Sequence, residues 1–198
     1  KKENKAVYGN VIKDINAYYA ATNEKARQDN YLMTILRTSN MAALPYSLGR
    51  AFIQYAEANE AKRNEMKPML LEGIQESYAE FFEPLEREML AKQLQLYATK
   101  STGFQIAPYV KEIGGKSNND FTSYVNTAFD SSIFSTKEKA LAFINNPNAE
   151  IVKKDELFKL SSDLLTQYRA VPENVAALQN DYQKSYRLLV DGIRKSNP

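Results

Sequence analysis

Three glutamates, Glu83, Glu86 and Glu88, are the residues whose type and spacing could do chemistry. Two neighbouring carboxylates can act as acid and base or hold a metal ion. Di-iron helical bundles, however, combine such glutamates with a Glu-x-x-His motif on two helices, and this chain contains no histidine. A Ser-His-Asp triad cannot be assembled from this chain for the same reason. We therefore predict no catalytic, cofactor-binding or metal-binding residue here, and interpret the glutamates as solvated helix faces with i,i+4 ion pairs.

The composition argues against several other classes of function. The chain has no cysteine, and so neither a disulfide framework nor a thiolate metal site. Its 26 basic and 24 acidic residues give a net charge of +2, which argues against a nucleic-acid partner. No apolar run approaches the ~20 residues of a membrane span, and no signal peptide is recognisable. Because the chain begins with lysine rather than methionine, we expect it to be a fragment of a longer polypeptide.

The helices that would position functional groups are clearest between residues 120 and 160. Apolar residues recur there at i, i+3, i+4, i+7 and i+8, which predicts a helix that Asp120 caps. Ser135 with Glu138 predicts a capping box at the start of a second helix, which Pro147 should end. A third helix should begin near Asp155. The apolar residues of the first of these helices are Phe121, Tyr124, Val125, Ala128 and Phe129.

Prolines and glycines divide the rest of the chain into further helices. One helix is predicted over about residues 4–22, and a helical segment over about 30–59 should kink or break briefly at Pro45. Pro84 and Pro172 are each predicted to occupy the first position of a helix. A short helix should begin at Pro108 and close at Gly114-Gly115.

These patterns predict an all-α fold, a compact cap or bundle of several short, capped helices with no sheet. The 198 residues suit a single domain spanning 1–198, which can bury roughly 70% of its unfolded surface. A division into two lobes, about 1–102 and 103–198, stays open. Tyr18-Tyr19 could form an adhesive surface and Phe81-Phe82 a tip that contacts a partner, although half-buried packing and a core turn are the more ordinary interpretations.

The order of residues in three places resembles one protein family, the bacterial dipeptidyl peptidases with a chymotrypsin-like double barrel (serine peptidase family forty-six). The segment between 132 and 158 is similar to the family's helical domain, residues 186–193 to the helix that leads into its second barrel, and residues 7–12 to the opening of a helix in the same inserted domain. The strings that carry the resemblance are Ser132-Ile133-Phe134-Ser135, Glu138-Lys139, Asn146-Pro147, Asp155 to Phe158, Tyr186 to Val190 with Gly192-Ile193, and Val7-Tyr8-Gly9 with Val11-Ile12.

The resemblance implies that this chain is a helical lid inserted in a serine dipeptidyl aminopeptidase. Such a lid covers the active-site cleft and restricts access to peptides with a free N-terminus, and it does not catalyse by itself. The implied partners are the missing double-barrel catalytic domain of the same chain and a peptide substrate. A periplasmic or cell-surface location is implied as well, and a homodimeric parent stays open.

One substrate-binding element of the family is not matched. The family grips the substrate's amino group with an asparagine in an Asn-Tyr-Trp element, and the nearest string here is Thr38-Ser39-Asn40-Met41. The chain has no tryptophan, so this role is not assigned to Asn40.

Two alternatives remain from the sequence. The chain could be a free-standing helical protein-interaction module that binds a partner in a groove between helices. It could also be a bundle that binds a ligand in an internal cavity. Coding sequence for barrel segments on both sides of this domain would favour the lid over either alternative.

Overall fold

The computed structural model describes residues 7–101 and 106–196, and it confirms the all-α fold because these residues contain no strand and no sheet. Its helices, numbered in chain order, are α1 (Val11–Thr38), α2 (Asn40–Glu57), α3 (Glu60–Ser77), α4 (Glu83–Lys100), α5 (Pro108–Ser117), α6 (Thr122–Ser131), α7 (Lys137–Asn145), α8 (Ala149–Lys154), α9 (Glu156–Arg169) and α10 (Glu173–Ser196).

The chain forms two compact units. The first comprises Lys1–Asp29 with Ala170–Pro198, and the second comprises Asn30–Arg169. α1 contributes residues to both units. The lobe boundary left open by the sequence, near residue 102, falls in the segment 102–105, which lies outside the described residues, and α4 and α5 on either side of it belong to the same unit. The single-domain prediction and its two lobes stay predictions.

In the first unit, residues 8–29 pair with α10 in antiparallel order, and we call these two segments the terminal helix pair. Ser185 donates a hydrogen bond to Asp14 (2.7 Å), and the rings of Tyr18 and Tyr182 stack with their centroids 4.1 Å apart. Six residues of α10 that are buried or half-buried recur at heptad spacing, which is the pattern of a helix that packs along a partner helix. They are Val175, Leu178, Tyr182, Ser185, Leu189 and Gly192.

The core of the second unit lies where α2 packs on α7 and α9. The ring of Phe52 stacks on that of Phe143, with centroids 4.4 Å apart, and on that of Phe134 at 5.7 Å. A side chain at Gly49 would collide with the ring of Phe158. Because glycine lacks a Cβ atom, α2 and α9 can approach closely at this point.

The predicted capping box at Ser135 is wrong by one residue. Thr136 is the N-cap of α7, and its hydroxyl oxygen accepts the N–H of Lys139 (3.2 Å). The hydroxyl of Ser135 is fully buried and donates instead to the carbonyl of Ser132 (3.0 Å). Ser135 therefore closes the preceding turn and is not available to cap the helix. The end of α7 at Asn145, before Pro147, is confirmed.

The first two predicted helices end at other residues than expected. α1 continues through residue 22 to Thr38, while the predicted start at residue 4 lies outside the described residues. The break in the following segment is at Ser39, whose backbone is extended, and Pro45 lies inside α2. The hydroxyl of Ser39 donates to the carboxylate of Glu86. This tertiary contact fixes the turn between α1 and α2, and the sequence around it does not show the contact.

The remaining boundaries agree in part with the predictions. Pro84 lies in the first turn of α4 and Pro108 begins α5, while Pro172 directly precedes α10. α5 does not close at Gly114-Gly115 but continues to Ser117, and the left-handed residue Asn118 ends it (φ 51°). Asparagine tolerates this backbone conformation better than most residues, because its short polar side chain can hydrogen-bond locally. The short helix α8 was not predicted.

Candidate functional site

Asp155 belongs to the segment that carries the family resemblance, and it lies between α8 and α9. One oxygen of its carboxylate accepts hydrogen bonds from the hydroxyl of Ser132 (3.0 Å) and from the N–H groups of Leu157 (3.0 Å) and Phe158 (3.1 Å). The other oxygen accepts the N–H of Ile133 (2.9 Å). Burial raises the pKa of Asp155, although these four hydrogen bonds oppose the shift. The carboxylate thus caps α9, as the predicted helix start near Asp155 requires, and ties it to the loop after α6.

Of the three glutamates singled out by the sequence, Glu86 does not lie on a solvated face. Only 7% of its surface is exposed. Its carboxylate accepts hydrogen bonds from the hydroxyl of Ser39 (2.9 Å) and the amide of Asn40 (3.0 Å). Glu83 does form the expected i,i+4 ion pair, with Arg87. Glu86 therefore holds the turn between α1 and α2 against α4, a role the sequence did not predict because its partners lie 46 and 47 residues away.

Arg87 fixes α4 against α6. Its guanidinium donates to Glu83 (2.5 Å), to Asp130 (2.7 Å) and to the carbonyl of Asn126 (2.9 Å), and it lies 4.9 Å above the ring of Phe129. An open groove of about 430 Å³ runs beside this contact. Its lining residues are Pro84, Arg87, Glu88, Ala91, Lys92, Thr122 and Asn126. Within the described residues no cluster of acidic side chains is suited to hold a metal ion.

The outer face of α4 carries a row of apolar side chains, which we call the α4 stripe: Phe82, Leu85, Met89 and Leu96. Phe82 is 64% exposed, Leu85 52% and Leu96 47%, and Met89 is half-buried. A second row of apolar side chains lies on another face of the same helix and is buried. The spacing i, i+3, i+7, i+14 distinguishes the two rows. The buried row consists of Leu90, Leu94 and Tyr97.

The two aromatic pairs named from the sequence are each divided between packing and exposure. The ring of Phe81 packs edge-on against Tyr78, with centroids 5.3 Å apart, while its neighbour Phe82 is exposed. Tyr18 stacks on Tyr182, and half of Tyr19 is exposed to solvent. In each pair, the first ring packs against another aromatic ring and the second is exposed to solvent.

The terminal helix pair also exposes apolar side chains. Each helix of an antiparallel pair buries the apolar stripe that faces its partner helix. The exposed apolar residues of this unit are Val7, Ile12, Tyr19, Val171, Tyr186, Val190 and Ile193. Uncovered apolar residues on this scale are typical of a surface that another part of a protein covers.

In the described part of the chain, no helix has the length and apolar character needed to cross a bilayer. The family model described as Peptidase S46 matches residues 1–198. A dipeptidyl-peptidase 7 of Capnocytophaga gingivalis is 29% identical to this chain over 197 residues, which are 99% of this chain and 27% of the relative. The chain therefore spans about a quarter of the length of the curated relative that it matches.

Proposed function

The chain belongs to the peptidase S46 family, and we propose that its helices form a lid over the active-site cleft of a dipeptidyl peptidase. The lid restricts access to peptides with a free N-terminus, and the reacting groups come from the rest of the polypeptide. Closure of a lid excludes water and commits the substrate, and opening releases the product. The lack of histidine in this chain fits a part of the enzyme that does no chemistry by itself.

The terminal helix pair is the observation that carries this proposal. Its antiparallel order puts both ends of the described chain side by side, since Tyr8 donates a hydrogen bond to Asp191 (3.3 Å) and a Cβ atom at Gly192 would lie 3.4 Å from the ring of Tyr8. A domain whose two connections leave at one place can be inserted in another domain without disturbing it. The relative's greater length supplies the polypeptide into which it would be inserted.

The exposed apolar residues support the same proposal. We propose that the α4 stripe faces the catalytic part of the parent enzyme, because an uncovered row of large apolar side chains favours burial against another surface. The groove beside Arg87 offers polar atoms at the edge of that row. The α4 stripe and this groove together form a face that is neither fully apolar nor fully charged. A face of this kind suits a lid that opens and closes over a cleft that contains water.

The test measures how fast a cysteine at position 85 reacts with a maleimide. The chain contains no cysteine, so Leu85→Cys introduces a single reactive thiol, and Lys116→Cys is the control because 74% of its side chain is exposed on a different helix. Each variant is compared in the 198-residue chain alone, in the parent enzyme, and in the parent with a saturating product dipeptide. The wild-type parent gives the background from its own cysteines.

We expect the thiol at position 85 to react severalfold more slowly in the parent than in the chain alone, and more slowly again with the dipeptide. The thiol at position 116 should react at similar rates in all three samples. Equal rates for position 85 in all three samples would overturn the proposed orientation of α4. Hydrolysis of a dipeptidyl chromogenic substrate by the purified chain alone would overturn the non-catalytic role.

Two further expectations belong to the same proposal. The periplasmic or cell-surface location predicts that the parent enzyme is released with the periplasmic or surface fraction of the cell. A homodimeric parent predicts twice the mass of one polypeptide by light scattering. Neither expectation affects the lid role, which concerns one polypeptide.

A further inference from the structure

Two arginines converge on one half-buried tyrosine of the second unit, Tyr46. The guanidinium of Arg50 donates to the phenol oxygen of Tyr46 (3.2 Å), and that of Arg169 donates to the same oxygen (3.4 Å). Their central carbon atoms also lie over the ring, 5.7 and 5.5 Å from its centroid. Arg50 and Arg169 are both exposed, so the two cations border one patch of surface that solvent reaches.

This cluster lacks an anion. Among the described residues, no carboxylate lies within ion-pair distance of Arg50 or Arg169. The phenol oxygen of Tyr46 accepts from both arginines, which leaves its own O–H free to donate to a further group. The two guanidiniums lower the pKa of Tyr46, with the hydrogen bond from Arg50 as the largest cause. The two guanidiniums and the O–H of Tyr46 are thus three hydrogen-bond donors that carry two positive charges. The only acceptor that the described residues give the arginines at this place is the neutral phenol oxygen of Tyr46.

The backbone holds the cluster in place. The N–H of Tyr46 donates to the hydroxyl of Ser161 (3.1 Å), which is fully buried between α2 and α9. Gly49, one turn further along α2, allows the close approach of α9 described above. Tyr46 and Arg50 therefore keep a fixed position relative to Arg169, which is the last residue of α9. A site of this kind is organised before its ligand arrives.

An ordinary explanation accounts for part of the arrangement. Arginines stack on tyrosines for a modest gain, and a cation in the last turn of a helix is favoured by the helix dipole. These effects explain each arginine separately. They do not explain why two like charges share one oxygen without a carboxylate to neutralise them.

We propose that Tyr46, Arg50 and Arg169 form a binding site for a peptide carboxylate. One N–H group of each guanidinium and the tyrosine O–H would donate to the two carboxylate oxygens, and hydrogen bonds to a charged acceptor are the stronger kind. The choice of a peptide carboxylate among anions rests on the proposed function, in which the ligands are peptides. The anion site itself does not depend on that function.

The test follows binding by the 198-residue chain with NMR of the arginine side chains and of labelled tyrosine rings. Three N-acetylated tetrapeptides serve as probes: one with a single glutamate among glutamines and an amidated C-terminus, one of four glutamines with a free C-terminal carboxylate, and one of four glutamines with an amidated C-terminus. The first two carry one carboxylate each and the third carries none. The comparison separates a side-chain carboxylate from a C-terminal one as the source of the ligand.

The variant is Arg50→Gln with Arg169→Gln, and the control is Arg27→Gln with Arg37→Gln, which removes the same charge from exposed positions outside the cluster. Tyr46→Phe keeps the ring and removes only the O–H group. Circular dichroism verifies that each protein keeps its helix content.

We expect at least one carboxylate probe to shift the signals of Arg50 and Arg169 and to bind at least about tenfold more tightly than the third probe. The double variant at the cluster should lose this preference, Tyr46→Phe should weaken it, and the control variant should keep it. The pKa of Tyr46 should rise in the double variant. Equal binding of all three probes, or equal binding by the double variant and the wild type, would overturn the site. Because no barrel is present in this experiment, its failure would leave the lid proposal as it stands.

Discussion

At the residue scale, the buried carboxylates of Asp155 and Glu86 each accept hydrogen bonds from a turn whose polar groups would otherwise be buried without partners. A buried N–H or O–H group without an acceptor costs free energy. Asp155 accepts four such bonds and Glu86 accepts two. The chemistry that these acids could do in solution is thus replaced by a structural role.

A first prediction concerns the size of that role. Asp155→Ala should lower the free energy of unfolding by about 3 kcal/mol or more, because it leaves buried donors without an acceptor. Asp130→Ala is the matched control: the side chain of Asp130 is 73% exposed and pairs with Arg87 at the surface, so its loss should cost less than about 1 kcal/mol. Urea denaturation measures both. Similar losses for the two variants would contradict the assignment of Asp155.

A second prediction concerns pH. Burial raises the pKa of Asp155 in the folded protein above the value in the unfolded chain. Between those two pKa values the folded protein binds a proton that the unfolded chain does not, so this residue stabilises the fold more as the pH falls. The free energy of unfolding of the wild type, minus that of Asp155→Asn, should therefore increase between pH 7 and pH 4. A constant difference would show that the hydrogen bonds balance burial, and a change in the opposite direction would show that they outweigh it.

Residues differ in how far the sequence predicts their roles. Asp155 was expected near the start of α9 because a cap acts on N–H groups two and three residues away. Ser135 was misassigned, since Ser135 and Thr136 are both good caps and only the buried contact of Ser135 with Ser132 decides between them. Glu86 could not be recognised, because its donors belong to a distant turn. Local signals are visible in a sequence, and long-range partners are not.

At the element scale, the contact of α2 with α9 determines both the core and the arginine cluster on its rim. The helices approach closely at Gly49, where a Cβ atom would collide with Phe158, while Ser161 on α9 accepts the N–H of Tyr46. Glycine is the one residue that adds no side chain at such a contact. The packing of α2 on α9 therefore requires that residue 49 has no side chain.

A third prediction compares two glycines. Gly49→Ala should destabilise the fold by about 1–3 kcal/mol, because the new methyl group overpacks the core against Phe158. Gly73→Ala, in the interior of α3 with nothing near the new atom, should stabilise it by about 0.5–1 kcal/mol through the better helix propensity of alanine. Thermal unfolding of the two variants gives the signs. The same sign for both would contradict the close contact of α2 with α9.

Most of the helices were predictable from the sequence, but several of their boundaries were not. The place of Pro84 in the first turn of α4, the start of α5 at Pro108 and the end of α7 before Pro147 follow from the covalent geometry of proline. The break at Ser39 follows instead from its hydrogen bond to Glu86 on another helix. For the two rows of apolar residues on α4, the sequence does not show which row finds a partner within this chain.

At the scale of the whole molecule, the two units differ in how well they cover their own apolar residues. The second unit encloses a large core, whereas only Val11 and Val175 are buried among the large apolar side chains in the described part of the first unit. A helix pair of this kind is favoured where another surface covers it. The proposed insertion in a larger peptidase provides that surface, and it also accounts for the adjacent ends of the described chain.

Replacement of the second unit in the parent enzyme is the most direct test of the lid. Residues 30–169 are exchanged for a short Gly-Ser linker, which can join Asp29 to Ala170 because the terminal helix pair places these residues at the same end. The measurement is the rate of cleavage of an N-acetylated heptapeptide divided by the rate for a dipeptidyl chromogenic substrate. If the helices restrict access, this ratio rises severalfold while the chromogenic substrate is still cleaved. An unchanged ratio in a folded, active enzyme would contradict the central claim that these helices act as a lid.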